Sequence, residues 1–136
     1  MAVGRLLAPA PKPVGAPPAE LGCESLELRD RAGRALRGWY ARAGRGADAV
    51  LLLHGLRASR RQMLARMRWL QSAGFASAAI DLLGHGESDG EQMSFGWHEA
   101  SGVRAALDEL RRRGHARVGV IGHSLGAASS LLGEPA

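Results

Sequence analysis

The sequence contains little of what marks several specialised protein classes. Its 136 residues include one cysteine, Cys23, which excludes a disulfide framework and a cysteine-rich zinc site. Aromatic residues make up 4% of the chain, and its apolar runs are far shorter than the roughly 20 residues that a membrane-spanning helix needs. The first residues include no apolar segment long enough for a signal peptide. We therefore expect a reduced, cytoplasmic protein without a membrane span.

Lysine is also scarce, since Lys12 is the only one and the net charge of +5 depends on arginine. An arginine excess is compatible with a nucleic-acid partner, because arginine neutralises phosphates. Here, however, the arginines are scattered along the chain, and the one run, Arg111–Arg113, precedes a glycine. That position is typical of a helix C-terminus, where cations oppose the negative end of the helix dipole. With no recognition motif beside the charge, we expect no nucleic-acid partner.

Proline is concentrated at one end of the sequence, with five of the six prolines between Pro9 and Pro18. Proline fixes φ and lacks a backbone donor, so this composition predicts an extended, polyproline-like segment. We interpret residues 1–22 as a Pro-rich extended arm that lies outside the core. The folded domain is then expected to occupy residues 23–136.

Short apolar runs and helical periodicities alternate in the rest of the sequence. Alternating residues on either side of Asp30–Gly33 predict a β-hairpin. Three apolar runs predict buried strands, over 49–53, 76–80 and 118–121. Helices are predicted between them, one from Ser59 to Gly74 and one ending at Gly114, with a glycine-rich loop over 82–93. This order predicts an α/β fold made of βαβαβ units with a mainly parallel sheet.

The third predicted strand leads into a G-x-S-x-G motif, Gly122-His123-Ser124-Leu125-Gly126. In a glycine-rich chain the pattern alone is equally well explained by a tight turn. Its position between a strand and a helical segment favours a nucleophile elbow, a strained turn that exposes the Ser124 hydroxyl. The flanking glycines allow strand and helix to approach closely, and the Leu125 N–H at the helix start is a candidate oxyanion donor.

Two more motifs follow the first and second predicted strands. They are His54-Gly55-Leu56 and the segment Asp81-Leu82-Leu83-Gly84-His85-Gly86-Glu87-Ser88. The glycines of the second motif do not complete G-x-G-x-x-G, because Asp89 takes the last position, so no nucleotide site is expected. With the elbow, the three motifs make the chain resemble the α/β-hydrolase superfamily, in its serine-esterase, lysophospholipase and serine-aminopeptidase-like branch, over residues 24–132.

The resemblance implies roles for the motif residues. The Leu56 amide becomes the second oxyanion donor, and His54 and Gly55 shape its loop. By the same resemblance, four further residues support the structure of the second motif and its turn: Asp81, Gly84, His85 and Gly86. The implied fold is an α/β-hydrolase fold, incomplete, with 23–136 as its N-terminal portion. The implied substrate is a small acyl compound, and neither a metal nor an organic cofactor is implied.

The sequence departs from this family mainly because it offers no candidate for the general base. In α/β-hydrolases an acid and then a histidine follow the nucleophile. After Ser124 the sequence has no histidine and one acid, Glu134, which would lie about 15 Å further along a helix. His98 and His115 are expected to be solvent-exposed. We therefore expect a serine hydrolase of esters, thioesters or amides that is truncated before its acid and histidine, and inactive as it stands. A natural non-catalytic binding or regulatory module is the open alternative, and the oligomeric state is not indicated.

Overall fold

The computed structural model describes residues 8–90, 94 and 96–133. The strands are β1 Ala10–Pro11, β2 Glu24–Arg29, β3 Ala35–Ala41, β4 Ala49–Leu53, β5 Ala76–Ile80, β6 His85–Gly86 and β7 Val118–Gly122. The helices are α1 Leu64–Ser72, α2 Ala100–Arg112 and α3 Leu125–Gly133, with 3-10 turns at Ala19–Leu21 and Arg60–Met63. Residues 1–7 of the predicted arm, 91–93 of the predicted loop and Glu134 lie outside the described residues.

The main sheet has five strands in the order β2-β3-β5-β4-β7. The hairpin strands β2 and β3 are antiparallel, and β3 is antiparallel to β5. The strands β5, β4 and β7 are mutually parallel and are joined by α1 and α2. The predicted α/β class with a hairpin followed by βαβαβ units is therefore confirmed.

The central strand β4 is buried on both faces, as its continuous apolar run predicts. Side chains on a strand alternate between faces, so Leu51 and Leu53 pack in one cluster with α2 residues such as Val103. Leu52 packs on the other face with Met63 and residues of α1. All three leucines are fully buried.

Both helices of the crossovers begin or end at the predicted signals. The Ser59 hydroxyl accepts a hydrogen bond from the Arg61 N–H at 3.3 Å and so caps the turn that leads into α1. Gly74 and Gly114 follow α1 and α2 with φ of +92° and +96°, a left-handed conformation that glycine adopts without strain. Among the described residues no helix is long and apolar enough to cross a bilayer.

The strand β7 differs from its prediction, because Val120 and Ile121 are 38% and 39% exposed rather than buried. Its apolar sequence is typical of an interior strand. In the described part of the chain, however, β7 pairs with β4 along one edge only. An apolar run therefore predicts the strand but not how many neighbours cover it.

The N-terminal segment also differs from its prediction, because part of it belongs to the core. Val14 and Leu21 are 3% and 4% exposed and pack in the same cluster as Trp39 and Leu52. Prolines limit ladder pairing to the short parallel bridge between β1 and β6. They do not prevent the intervening apolar side chains from covering the sheet.

Candidate active site

Ser124 occupies a sharp turn between β7 and α3. Its φ is +53°, and among the described non-glycine residues only Arg57 shares a positive φ. A left-handed non-glycine residue costs about 1–3 kcal/mol, so surrounding contacts must hold it there. Ser124 is exposed, whereas the next residue, Leu125, is 4% exposed and anchors the first turn of α3.

The two glycines of the motif permit this turn sterically. A Cβ on Gly122 would lie 2.5 Å from the Ala127 nitrogen, within the first turn of α3. A Cβ on Gly126 would lie 2.4 Å from the Leu53 carbonyl oxygen and 2.7 Å from that of His54. Because these neighbours are backbone atoms, α3 can approach the end of β4 only with glycine at both positions.

The elbow therefore lies directly beside the His54-Gly55-Leu56 loop. The His123 N–H donates to the Leu53 carbonyl at 3.0 Å. The His123 ring packs against Gly55, where a Cβ would lie 2.6 Å from the ring Cδ2. The sequence motifs after β4 and β7 thus meet at one edge of the sheet, where parallel strands have their carboxyl ends.

The loop after β4 forms a turn around the Gly55–Leu56 peptide. The Gly55 carbonyl accepts hydrogen bonds from the Ala58 N–H at 3.2 Å and from His54 Nδ1 at 2.7 Å. Arg57 has a φ of +61°, which a type II turn requires at its third position. Since a trans peptide directs its C=O and N–H oppositely, holding the Gly55 oxygen also fixes the direction of the Leu56 N–H.

His54 is held in one neutral tautomer. A carbonyl only accepts, so Nδ1 carries the proton that it donates to Gly55, and Nε2 accepts from the Leu82 N–H at 3.0 Å. Burial lowers the pKa of His54 from 6.5 to about 4, with a smaller contribution from the charge on Lys12. Both ring nitrogens of His54 are thus engaged in hydrogen bonds to the backbone.

This tautomer predicts an acid-sensitive fold. The unfolded chain binds a proton at His54 below pH 6.5 and the folded chain only near pH 4, so stability is full above 6.5 and decreases toward 4. The expected loss is at most about 3 kcal/mol, measured by urea denaturation across this pH range. His54→Gln should flatten this dependence while lowering stability at pH 7. Exposed His98→Gln is the control, and equal pH slopes in wild type and His54→Gln would contradict the assignment.

The second motif is anchored by a buried ion pair. Asp81 accepts hydrogen bonds from the Arg60 N–H at 2.7 Å, from Arg60 Nη1 at 2.5 Å and from the Glu87 N–H at 2.8 Å. Burial raises the pKa of Asp81, and these N–H bonds and the charge of Arg60 oppose the shift. Arg60 also lies 4.6 Å from the centroid of the Trp39 ring. Gly86 is required because a Cβ there would lie 2.2 Å from the Asp81 carboxyl carbon.

His85 connects this motif to the loop after β4. Its ring centroid lies 4.9 Å from that of His54, and its Nδ1 donates to the Leu83 carbonyl at 3.0 Å. Burial lowers the pKa of His85 as well. Gly84, with a φ of +79°, donates its N–H to the Asp89 carbonyl at 2.8 Å and closes the turn. All three motifs therefore converge on one region.

Other side chains that support this region could not be predicted from the sequence. Gln62 Oε1 accepts from the Gly55 N–H at 2.7 Å, and nothing in the sequence marks it. The buried carboxylate of Glu99 accepts from the Ser94 N–H and hydroxyl and from the Gly96 N–H, at 2.7–3.1 Å. Gly96 packs against Ala128 of α3. The hydrogen bonds of Glu99 therefore hold a loop that lies beside α3, the helix that follows Ser124.

The prediction that His115 is exposed is wrong. The residue is half-buried, and its Nδ1 and Nε2 hydrogen-bond the Ala47 carbonyl and the Tyr40 hydroxyl at 2.9 and 2.7 Å. It lies before β7, at the end of the sheet opposite Ser124.

Among the described residues no cluster of three or more His, Cys, Asp or Glu side chains is arranged to hold a metal ion.

Comparison with known proteins agrees with this arrangement. The sequence profile described as "Alpha/beta hydrolase family" matches residues 50–136, which contain all three motifs. The chain belongs to this family. The resemblance to the α/β-hydrolase superfamily inferred from the motifs is thereby confirmed, and so is the α/β-hydrolase fold.

Individual relatives of this α/β-hydrolase chain include esterases. It superposes on the Pyrococcus furiosus esterase Pf2001 with a TM-score of 0.81 and 25% identity, covering 93% of this chain and 52% of the esterase. The esterase EaEST from Exiguobacterium antarcticum, at 20% identity and a TM-score of 0.69, shows the fold alone; 81% of this chain and 39% of that one are covered. The polyketide transferase ATR5 of Stachybotrys chlorohalonatus is 36% identical over 69 residues, 50% of this chain and 23% of its own length. The chain thus spans about half of esterase Pf2001 and less of the others.

Proposed function

We propose that this chain supplies the nucleophile and the oxyanion hole of a serine hydrolase that acts on an ester, thioester or amide. Ser124 is the nucleophile, and the N–H groups of Leu56 and Leu125 are the oxyanion donors. The observation that carries the proposal is the left-handed Ser124 turn packed against the loop that holds the Gly55–Leu56 peptide. Membership of the family and the esterases among its relatives support the same reaction class.

The proposed reaction proceeds through an acyl-enzyme. Ser124 Oγ bonds to the carbonyl carbon of the substrate, and the carbonyl electron pair moves to oxygen, where the two N–H groups stabilise it. Collapse of this intermediate expels the alcohol, thiol or amine, and water then attacks the acyl-serine to release the acid. The Leu125 N–H is suited to be an oxyanion donor because it is the first N–H of α3 and has no partner within the helix.

Removing the Ser124 proton requires a base. His54 uses both ring nitrogens elsewhere, and His123 packs against Gly55. We assign the triad acid and histidine to sequence outside these 136 residues, since the chain spans about half of the esterase that it resembles.

The 136-residue chain is accordingly expected to hydrolyse p-nitrophenyl butyrate no faster than its Ser124→Ala variant at pH 7.5. A serine hydroxyl without a base is a poor nucleophile, and removing triad members costs several orders of magnitude in kcat. Release of p-nitrophenolate under steady-state conditions measures this, with Ser130→Ala as the matched control on the same helix. A clear Ser124-dependent rate would place a base within the chain and contradict the assignment of the triad histidine.

A thiol at the elbow tests the proposal without a base, because a thiolate is nucleophilic on its own. The double variant Ser124→Cys, Cys23→Ser is compared with the wild type, whose one thiol is Cys23. Each protein is reacted with p-nitrophenyl butyrate and, separately, with iodoacetamide. Alkylation measures the general reactivity of a thiol, whereas acylation alone generates an oxyanion. We expect the ratio of acylation to alkylation rates to be about 10-fold to 100-fold higher for the elbow thiol.

Normalising to iodoacetamide matters because the two thiols differ in ionisation. Burial, with a smaller contribution from Glu20, raises the pKa of the Cys23 thiol. A thiol at the N-terminus of α3 is expected to have a lowered pKa. A difference in thiolate fraction raises both rates, and an oxyanion hole raises only acylation. Equal ratios for the two thiols would contradict the proposed function and favour a non-catalytic module.

A further inference from the structure

The N-terminal segment bridges two loops of the candidate site. We use "strap" for residues 8–14. The Ala10 N–H donates to the Gly84 carbonyl at 2.6 Å, and the Lys12 N–H donates to the Gly86 carbonyl at 3.0 Å. These bonds fix the strap backbone along the second motif, and Ala10 is 4% exposed. The backbone of Lys12 is therefore held in place by hydrogen bonds, although its side chain is exposed.

From this position Lys12 reaches the other loop. Its Nζ donates to the Arg57 carbonyl at 2.6 Å, a contact between residues 45 positions apart in sequence. A second hydrogen bond joins the strap to the same loop, since Arg57 Nη1 donates to the Ala8 carbonyl at 3.4 Å. The residue that Lys12 contacts, Arg57, is the residue of this turn held in the left-handed conformation, with a φ of +61°. A charged donor on its carbonyl favours this otherwise strained turn.

The turn transmits this contact to the proposed oxyanion donor. The Arg57 carbonyl and the Ala58 N–H belong to one peptide, and that N–H donates to the Gly55 carbonyl at 3.2 Å. The Gly55 carbonyl and the Leu56 N–H belong to the first peptide of the same turn. Each peptide is planar, so fixing its oxygen fixes its N–H. Lys12 thus acts on the Leu56 N–H through two peptide planes that this hydrogen bond joins across the turn.

We infer that Lys12 is a positioning residue, which holds the loop after β4 in the conformation that directs the Leu56 N–H toward the acyl oxygen. The inference rests on the proposed function, because it assigns a task to the same oxyanion hole. It also gives the Pro-rich segment a purpose, since proline stiffens the strap that carries Lys12.

The test uses the variant Ser124→Cys, Cys23→Ser in the full 136-residue chain as its background. Lys12→Met is expected to lower the ratio of p-nitrophenyl butyrate acylation to iodoacetamide alkylation at least about fivefold, part of what one oxyanion donor contributes. Lys12→Arg keeps a cationic donor and should restore the ratio to within about twofold. Arg61→Met is the matched control, because Arg61 Nη1 holds the same strap at the Val14 carbonyl, 2.7 Å away, without contacting the Arg57 carbonyl.

Amide hydrogen exchange gives a second measurement that needs no reaction. In the wild-type background, Lys12→Met is expected to speed exchange of the Ala58 amide relative to Arg61→Met. An unchanged acylation ratio in Lys12→Met, or equal losses in Lys12→Met and Arg61→Met, would overturn the inference while the proposed function stands. Loss of selectivity already in the background variant would overturn the proposed function itself, and with it the task assigned to Lys12.

Discussion

Replacing Arg60 by methionine is expected to destabilise the chain by about 3–5 kcal/mol, because the Asp81 carboxylate would stay buried without its charge partner. The side chains of Arg60 and Asp81 are 5% and 0% exposed, so water cannot replace the guanidinium. Folded domains have about 5–15 kcal/mol of stability in total, which makes this loss a large fraction. Urea denaturation followed by circular dichroism measures it.

Two further variants identify the cause of that loss. Arg68→Met removes an exposed arginine that pairs with Glu20 at 3.2 Å, and it should change stability by less than about 1 kcal/mol. The double variant Arg60→Met, Asp81→Asn should cost at least about 1 kcal/mol less than the sum of its single variants. If the single-variant costs simply add, the ion pair does not stabilise the two motifs as a unit.

Gly126→Ala is expected to lower stability by about 3 kcal/mol and to displace the start of α3. Its Cβ would lie 2.4 Å from the Leu53 oxygen and 2.7 Å from the His54 oxygen, and neither backbone atom can move without shifting β4 or the loop after it. The midpoint of urea unfolding measures the change. In the elbow-thiol background the same substitution should also reduce selective acylation, since the Leu125 N–H moves with the helix.

Gly119→Ala is the matched control for this prediction. Gly119 lies in β7, the strand that leads into the elbow, and nothing lies within 4 Å of the Cβ position there. We expect a change within about 0.5 kcal/mol, as for a surface substitution away from special features. Equal unfolding midpoints for the two alanine variants would show that α3 adjusts its approach to β4, contrary to the steric argument.

The main helices and strands of this fold could be predicted from the sequence because each depends on a pattern of a few consecutive residues. The apolar run of β4 and the periodicity of α2 predict structures that form as expected, over Ala49–Leu53 and Ala100–Arg112. Ser59, Gly74 and Gly114 stand at their boundaries. Helix caps and left-handed glycines act through local hydrogen bonds and backbone sterics, so no distant residue is needed to recognise them.

Part of the candidate site could be predicted from the sequence for the same reason. The order of the three motifs placed His54, Asp81 and Ser124 just after parallel strands, whose carboxyl ends lie at one edge of a sheet. The G-x-S-x-G spacing indicated the strained turn because two close backbone approaches require glycine at both of its ends. The catalytic roles of Ser124, Leu56 and Leu125 stay predictions, which the thiol experiment tests.

The sequence by itself thus determined the order of the main-sheet strands and of the helices between them, the family and the turn at Ser124, but not the short bridge of β1 with β6. Only the tertiary structure decided that Val14 and Leu21 enter the core and which side chains support the motifs. Lys12 meets Arg57 across 45 positions and Arg60 meets Asp81 across 21. Such contacts depend on where the folded chain returns in space. An isolated lysine in a Pro-rich segment and an arginine at a helix start carry no local signal of the partner that each will contact.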